Sequence, residues 1–213
     1  MGTLLNRRRY MGGAKEQGYI QDGLVFWLDG IDKGSNEGYW TDLKGGCQFT
    51  IPASGVTTLT NGFEWTSLTP MPLDSGEIPK GAGVTVEIVL VKKTGTSNPA
   101  IIFVSDKQAP SNAVGISLTN NSIVFLQRCR QMSISLSLDT LYRLSYNTDV
   151  CAANEEQKNT TGTDYWSADT IGIGTCGSGR GIIGIIHSIR IYNRKLSLAE
   201  MINNQKYDLV RFG

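Results

Sequence analysis

Residues Gly181–Phe212 read GIIGIIHSIRIYNRKLSLAEMINNQKYDLVRF, and this stretch decides the fold. From Ile182 to Tyr192 apolar residues alternate, which predicts a β-strand because successive side chains on a strand point to opposite faces. Counting by twos, one face consists of Ile183, Ile185, His187, Ile189 and Ile191. A face this apolar predicts a strand that packs on a hydrophobic core.

A helix signal follows this strand directly. Ser197 is placed to cap the backbone amide of Glu200 while the Glu200 carboxylate reaches back, which is the pattern of a capping box. Leu196 and Met201 are spaced to pack against each other over the first turn. An apolar stripe then continues through Leu198, Met201 and Ile202. The segment predicts a short C-terminal helix that lies across the sheet.

Further strand patterns occur upstream, between turn residues. Residues 24–29 alternate in the same way and predict a first strand. The other candidates are YWTDL, CQFTI, GFEWT, GVTVEIVLV, AIIFVS, AVGISL, SIVFLQR, QMSISL and LYRLSYN. Many short strands with no helices between them predict an all-β, antiparallel two-sheet sandwich. The polar segment Thr148–Asp169 predicts a long surface loop.

Length and composition fit one globular domain with an N-terminal extension. The chain has 213 residues, of which 40% are hydrophobic and 18% charged, enough for a sizeable core. Residues 1–19 are polar and basic and show no periodicity. We therefore predict an extended arm at residues 1–19 and a single sandwich domain at residues 20–213.

Charge and hydropathy argue against two classes of partner. The chain has 20 Lys and Arg residues against 19 Asp and Glu, and a net charge of +1 gives no field to attract nucleic acid or an anionic membrane. Arg7, Arg8 and Arg9 resemble the start of a signal peptide, but no apolar run follows them, and no stretch elsewhere is suited to span a bilayer. We expect neither Sec-dependent export nor a membrane anchor.

The cysteines show no spacing typical of a metal site or a dense disulfide framework. They are Cys47, Cys129, Cys151 and Cys176. We predict unpaired thiols that are buried or partly buried.

The order of strand, cap and helix in Gly181–Phe212 resembles the end of laminin-G-like, concanavalin-like jelly rolls, with an Asn-Arg turn and a Leu-Ser-x-x-Glu helix start. GLVFWLDGIDKG and YWTDLKGG, within Gly23–Gly46, resemble the first strand and a Trp-x-Asp-Leu-x-Gly turn of that family. LYRLSYNTD, ending at Asp149, is similar to the strand before its polar loop. The resemblance implies a jelly roll used mostly to bind sugars, proteins or neighbouring subunits.

The arm carries a second resemblance. Residues Leu4–Met11 are similar to the basic Leu-x-Arg-Arg-Arg-Tyr-Met-like start of small virion proteins from bacteriophages that infect gut bacteria. This resemblance implies that the arm has a role in assembly.

Some concanavalin-like proteins are glycoside hydrolases, which carry Glu-x-Asp-x-x-Glu on one strand and need two carboxylates facing one cleft. The matching strand here begins at Glu87, but Val89 and Lys92 occupy the other two acidic positions. We therefore predict a protein that is not an enzyme. Glu87 alternates with apolar residues and is predicted to lie on the solvent face.

Two further catalytic or cofactor patterns have structural explanations. His187 is the only histidine, and its place on the apolar face favours a core or rim histidine over a base or zinc ligand. Gly172, Gly174 and Gly177 match GxGxxG, but a strand follows them where a dinucleotide site needs a helix. A glycine-rich hairpin is the better interpretation.

Two kinds of ligand stay open. Many laminin-G-like domains hold Ca²⁺ at a loop-rich rim, and the candidate ligands here are Asp29, Asp32 and Asp42. Asp42 could instead stabilise its own turn. A sugar could stack on exposed aromatic residues, for which the candidates are Tyr165, Trp166 and Trp40. Apart from possible Ca²⁺, no cofactor is expected.

A basic arm on a sandwich without a catalytic constellation predicts a non-catalytic structural or interaction protein. We expect a bacteriophage virion component, such as a capsid-decoration, fibre or tail-associated subunit, docked through Arg7, Arg8, Arg9 and Tyr10. Its partners would be virion or surface-assembly proteins, glycans or further copies of itself. Its location would be the virion, and the host cytoplasm during assembly. The alternative is a carbohydrate-binding module for surface or dietary glycans, in the bacterial cytoplasm or at the cell surface by a non-Sec route.

Overall fold

The structure is a computed structural model that describes residues 18–34, 37–79, 83–93, 100–101, 115–118, 123–126, 134, 137–147, 149–158, 172–174 and 181–213. For residues 100–101, 115–118 and 123–126 the description covers the backbone alone. No helix in these ranges is long and apolar enough to cross a membrane.

The described chain consists of β-strands followed by one C-terminal helix. The strands are β1 Leu24–Asp29, β2 Tyr39–Thr41, β3 Cys47–Thr50, β4 Val56–Leu59, β5 Gly62–Trp65, β6 Met71–Gly76, β7 Thr85–Lys92, β8 Ala100–Ile101, β9 Gly115–Leu118, β10 Ile123–Leu126, β11 Leu141–Tyr146, β12 Cys151–Ala153, β13 Glu156–Lys158, β14 Gly172–Ile173 and β15 Gly184–Tyr192. The helix, α1, is Leu198–Phe212. The predicted all-β sandwich with a C-terminal helix is confirmed.

The strands form two packed antiparallel sheets and a small third group. The large sheet has the order β13-β12-β11-β7-β15-β5-β4, and β1 also pairs with β15. The second sheet has the order β14-β6-β3-β2, and β10-β9-β8 form a three-stranded sheet. The core between the layers is rich in fully buried aromatic side chains, namely Phe26, Trp40, Phe49, Phe63 and Trp65.

A β-bulge in β15 changes the predicted face of this strand. The pairing of β15 with β7 shifts between Ile186 and Ser188, at His187. Because a bulge inserts one unpaired residue, the count by twos changes phase there. The residues that enter the core are Ile182, Ile186, Ile189 and Ile191, whereas Ile183 and Ile185 are only half-buried. The sequence prediction placed Ile183 and Ile185 on the same core face as Ile189 and Ile191. That assignment is wrong for Ile183 and Ile185, which precede the bulge.

On the side of β15 that faces away from β7, the partner strand changes at this bulge from β5 to β1. The backbone of β15 pairs with β5 over Gly184–Ile186 and with β1 over Ser188–Tyr192. At the junction, Gly30 N donates to the His187 oxygen at 2.7 Å. A Cβ at Gly30 would lie 2.5 Å from Gly62 Cα, so the close approach of these backbones requires glycine.

Helix α1 begins at the predicted capping box. Ser197 Oγ accepts a hydrogen bond from the Glu200 amide, and Glu200 Oε2 accepts one from the Ser197 amide at 2.8 Å. The Arg194 guanidinium donates to the same carboxylate and lowers the pKa of Glu200 to about 2. Leu196 and Met201 are buried in one cluster, as the predicted contact requires.

We expect Ser197→Ala to lower the free energy of unfolding by about 1 kcal/mol, because the first turn of α1 loses its cap. Urea denaturation measures this change. Ser197→Thr serves as the control, since it keeps a hydroxyl acceptor, and an equal loss in both variants would contradict the capping role.

Several strands have no counterpart in the sequence prediction. The predicted loop Thr148–Asp169 contains the hairpin of β12 and β13, and its residues 148 and 159–169 lie outside the described ranges. Strands β4, β6 and β14 were also not predicted. The candidate strand QMSISL lies outside the described ranges except for Ile134 and is not tested.

Candidate functional site

The side of the large sheet that faces α1 is polar. In the register of the sheet, Glu87 on β7 stands opposite Arg190 on β15 and Ser145 on β11. Alternation along each strand then points these three side chains to the same face, away from the core between the sheets. All three are buried, because α1 covers this face.

Arg190 lies at the centre of this polar layer. Its Nε donates to Glu87 Oε2 at 2.9 Å, and its Nη1 and Nη2 donate to the two oxygens of Asp208 on α1 at 2.7 and 2.6 Å. A two-pronged pairing of this kind is among the stronger hydrogen-bond arrangements in proteins. The ionic triad Glu87–Arg190–Asp208 therefore fixes α1 on the sheet.

Amide side chains of α1 supply further hydrogen bonds to this layer. Asn204 Nδ2 donates to Glu87 Oε2 at 3.0 Å, and Gln205 Nε2 donates to Ser145 Oγ at 2.9 Å. Ser145 Oγ in turn donates to Glu87 Oε1 at 2.9 Å. A buried polar network of this kind specifies one arrangement of its elements, because any unpaired member would be costly.

The predicted solvent exposure of Glu87 is wrong. The residue was correctly placed on the face opposite the core, but that face is covered by α1, and 1% of Glu87 is exposed. Burial raises the pKa of Glu87, Arg190 lowers it, and Asp208 raises it further, with a net upward shift. No strand signal could show this, since the cover is formed by a helix more than a hundred residues downstream.

The raised pKa of Glu87 predicts a pH dependence of stability. Above the ordinary pKa of about 4.3, the unfolded chain releases this proton more readily than the folded chain. The contribution of Glu87 to the free energy of unfolding is therefore fully present below the ordinary pKa. It is lost as the pH rises through the raised pKa of the folded state. We expect Glu87→Gln, which cannot ionise, to flatten the pH dependence of the unfolding free energy in this window. Parallel slopes for parent and variant would contradict the assignment.

Tyr19, near the N-terminal end of the described residues, packs against this polar layer. The Tyr19 hydroxyl donates to Asp208 Oδ1 at 2.8 Å, and the Arg190 guanidinium lies 4.2 Å from the centre of the Tyr19 ring. The ring also packs edge-on against Trp27. Burial, followed by the charge of Asp208, raises the pKa of Tyr19 well above its ordinary value.

The residues on either side of Tyr19 are held by α1 as well. Asn203 Nδ2 donates to the Gly18 oxygen at 3.0 Å, and the Ile20 amide donates to Asn204 Oδ1 at 3.0 Å. We call residues 18–20 the arm root. Gly18 and Tyr19, which the sequence prediction assigned to the arm, are buried and pack against α1. The predicted docking residues Arg7, Arg8, Arg9 and Tyr10 lie outside the described ranges.

Trp40 is not available to stack on a sugar. Its side chain is 0% exposed, its ring centre is 4.6 Å from that of Phe63, and its indole N–H donates to the Asp29 oxygen at 3.0 Å. The prediction of Trp40 as a sugar-binding residue is wrong because alternation along β2 turns it into the core. The other two candidates, Tyr165 and Trp166, lie outside the described ranges.

Two of the three aspartates proposed for Ca²⁺ are already bonded to protein donors. The Asp42 carboxylate accepts hydrogen bonds from the backbone amides of Trp27, Lys44 and Gly46, which makes Asp42 a turn-stabilising residue. The Asp29 carboxylate is paired with Arg211 at 2.9 Å and also accepts the Ile31 and Asp32 amides. Oxygens already saturated by amides and a guanidinium do not fit a cation. Within the described ranges no other group of His, Cys, Asp or Glu fits a metal ion either.

We expect EDTA to leave the thermal midpoint of unfolding unchanged, because Asp29 and Asp42 are satisfied by the protein itself. Differential scanning calorimetry with EDTA and with added CaCl₂ measures this. A midpoint that rises with CaCl₂ and falls with EDTA would contradict the account.

The remaining reactive side chains of the described ranges are also held by the fold. His187 Nδ1–H donates to the Asn61 oxygen at 2.7 Å, its ring lies on Phe212, and burial lowers its pKa. Cys47 and Cys151 are buried, and their thiols donate to the backbone oxygens of Glu77 and Lys158. Burial raises the pKa of Cys47 to about 11. Cys129 and Cys176 lie outside the described ranges. Gly172 belongs to strand β14, and the end of the GxGxxG match is likewise not described.

The sequence prediction missed the residues of the polar layer, although α1 carries a signal for them. The buried positions of α1 are Met201, Asn204, Gln205, Asp208 and Phe212, which share one helical face. Asn204, Gln205 and Asp208 make most of this face polar, which indicates a helix that packs on a polar surface.

These features define an antiparallel β-sandwich domain whose outer sheet face is closed by a helix and by the arm root. No protein-family model matches the chain, and no curated protein matches it. Among solved structures, the chain is similar to the sialidase of Trypanosoma rangeli, with a TM-score of 0.66 and 14% identity over 98% of this chain and 38% of that one. It is also similar to the botulinum neurotoxin serotype D binding domain, with a TM-score of 0.63 and 15% identity over 90% of this chain and 52% of that one.

The chain thus spans about a third to a half of the length of these structures. At this level of identity the similarity establishes the β-sandwich fold.

Proposed function

We propose that this protein is a non-catalytic interaction subunit that its N-terminal arm attaches to a larger assembly, such as a bacteriophage virion. In that setting it serves as a capsid-decoration, fibre or tail-associated subunit, and its sandwich faces outward. The observation that carries the proposal is the arm root, which four side chains of the polar layer and α1 hold in place, namely Arg190, Asn203, Asn204 and Asp208.

Attachment through the arm would require an arm root that is fixed to the domain. A flexible junction would let the domain move freely relative to whatever the arm binds. Here the bonds of Gly18, Tyr19 and Ile20 run into the same network that holds α1 on the sheet. A partner bound to the chain just before Gly18 would therefore be attached to the packed domain without a flexible junction at residues 18–20.

The acid and base candidates support a function without catalysis. Glu87 is buried and bonded to Arg190, Ser145 and Asn204, so it has no contact with a cleft that a substrate could enter. His187 is buried with its Nδ1–H committed to a backbone oxygen. A general acid or base must reach the reacting atom of its substrate.

Deletion of residues 1–17 tests the docking role, because it removes the arm and keeps the arm root. In the native host, we expect the tagged full chain to co-sediment with the particle and the deletion variant to remain in the soluble fraction. Both should unfold at the same temperature. Normal incorporation of the deletion variant would refute docking by the arm.

The alternative is a carbohydrate-binding module. It is supported by the fold shared with a toxin binding domain and with a sialidase whose structure was determined in complex with sialic acid. Under this alternative, the protein binds a glycan on an array, and Trp166→Ala loses that binding while Trp65→Phe, a change in the core, keeps it. Equal binding by parent and Trp166→Ala would remove this residue from the site.

A further inference from the structure

Strand β4 lies at one end of the large sheet. It pairs with β5 from Val56↔Trp65 to Leu59↔Gly62 without a register shift, and the strand order of the described residues ends there. Thr57 and Thr58 are consecutive and point to opposite faces, yet both are exposed. Both faces of the sheet are therefore open at this edge.

The hydrogen bonds of the hairpin show which backbone groups point outward. The Thr66 amide donates to the Gly55 oxygen at 3.0 Å, so Gly55 directs its carbonyl toward β5. Residues alternate in an antiparallel pair, so Thr57 and Leu59 also face β5, whereas Val56 and Thr58 direct their N–H and C=O groups outward. Within the described ranges no hydrogen bond reaches these outward groups.

This edge lacks the features that usually protect a sheet edge. Proteins block exposed edges with charged residues, proline or bulges. The opposite end of the same sheet, β13, carries Glu156 and Lys158, which form an ion pair at 2.5 Å. Strand β4 reads Val-Thr-Thr-Leu, without charge or proline and without a bulge. Charged residues therefore protect the β13 edge of the sheet, whereas the β4 edge has no such protection.

We propose that β4 is a self-pairing edge through which two copies of this chain join their large sheets. The pairing is antiparallel, with the two-fold axis at Thr57. Val56 and Thr58 of each copy then exchange backbone hydrogen bonds with Thr58 and Val56 of the other. The two Thr57 side chains face each other as a close, non-hydrogen-bonded pair.

The strand itself favours a second copy as its occupant. The outward residues Val56 and Thr58 are symmetric about Thr57, so donors and acceptors match when an identical strand is turned around. An uncharged strand meets no like-charge repulsion from its copy, and threonine pairs across strands are favourable. Leu68, which is 42% exposed, adds apolar surface beside this edge, because its neighbours Ser67 and Thr69 lie against Gly55.

The contact is small, so the dimer should be weak in dilute solution. A stable interface usually buries about 1,200 Å² or more, which a four-residue edge does not supply alone. Within a particle, where copies are held close together, the same edge would be occupied. The proposal does not depend on the arm and can fail or hold separately from docking.

Cysteine cross-linking in the full chain tests the register. Opposed residues of a non-hydrogen-bonded pair have Cα atoms about 4.5 Å apart, a distance that a disulfide can span. Under mild oxidation we expect Thr57→Cys to give several-fold more covalent dimer than Thr58→Cys, whose opposite residue is Val56. The parent chain gives the background from the native cysteines. Equal yields from the two variants would overturn the proposed axis.

Sedimentation of the full chain over a range of concentrations tests self-association through β4 without introducing cysteines. We expect the mean mass of the parent to rise toward twice the chain mass, and Thr58→Val to behave in the same way. Thr58→Pro should stay monomeric, because proline removes an outward N–H and is tolerated on edge strands. Association that Thr58→Pro leaves unchanged would overturn the proposal, as would a parent that stays monomeric and fails to cross-link through Thr57→Cys. A monomeric parent whose binding to another protein is lost in Thr58→Pro would assign the edge to that protein instead.

Discussion

Arg190→Met should lower the free energy of unfolding by about 3–5 kcal/mol, the usual cost of removing one partner from a buried ion pair. Methionine fills much of the volume but leaves Glu87 and Asp208 buried together without a compensating charge. The loss should also free Tyr19, whose ring lies under the Arg190 guanidinium. Urea denaturation followed by tryptophan fluorescence measures the change.

Two comparisons separate lost charge from lost packing. Lys195→Met removes the exposed ion pair with Asp149 and should cost less than about 1 kcal/mol. Adding Glu87→Gln and Asp208→Asn to Arg190→Met neutralises both carboxylates and should recover part of the stability. A cost for Arg190→Met no larger than that for Lys195→Met would show that the triad does not hold α1.

Trp40→Ala should have a comparably large effect, of about 3–5 kcal/mol, through the cavity it leaves in the core. The side chain is 0% exposed, and its indole N–H would no longer satisfy the Asp29 oxygen. We expect any loss of ligand binding in this variant to follow the fraction of unfolded protein. Thermal denaturation and ligand binding, measured on the same sample, show whether the loss of binding matches the fraction of unfolded protein.

Trp40→Phe is the matched control, since it keeps an apolar ring in contact with Phe63 and should cost less than the alanine variant. A Trp40→Ala protein that is as stable as the parent but no longer binds a sugar would contradict the assignment of Trp40 to the core.

The sequence predicted the elements of the fold where local patterns decide them. The capping box of Ser197 and Glu200 is a local feature, and it was found where predicted. The faces of β15 were predicted correctly only beyond His187, because a bulge shifts the alternation and depends on the neighbouring strands. Strand β6, with Pro72 at its second position, carries no clear alternation and was missed for that reason.

The site depends on contacts between distant parts of the chain, and so less of it was predictable. Glu87 and Tyr19 each meet partners on α1 that lie more than a hundred residues away. Polar residues on a strand are usually exposed, so Glu87 was assigned to solvent. Only the cover provided by α1 makes that position buried. Asp42 differs because two of its partners, Lys44 and Gly46, lie in the adjacent turn. Turn stabilisation was therefore one of the two interpretations that the sequence allowed.

Incorporation of a full-length Arg7→Ala, Arg8→Ala, Arg9→Ala variant into the proposed particle tests the proposed docking function most directly, because it changes the arm alone. We predict that the variant unfolds at the same temperature as the parent yet remains in the soluble fraction after sedimentation of the particle. A variant that co-sediments as fully as the parent would contradict the account.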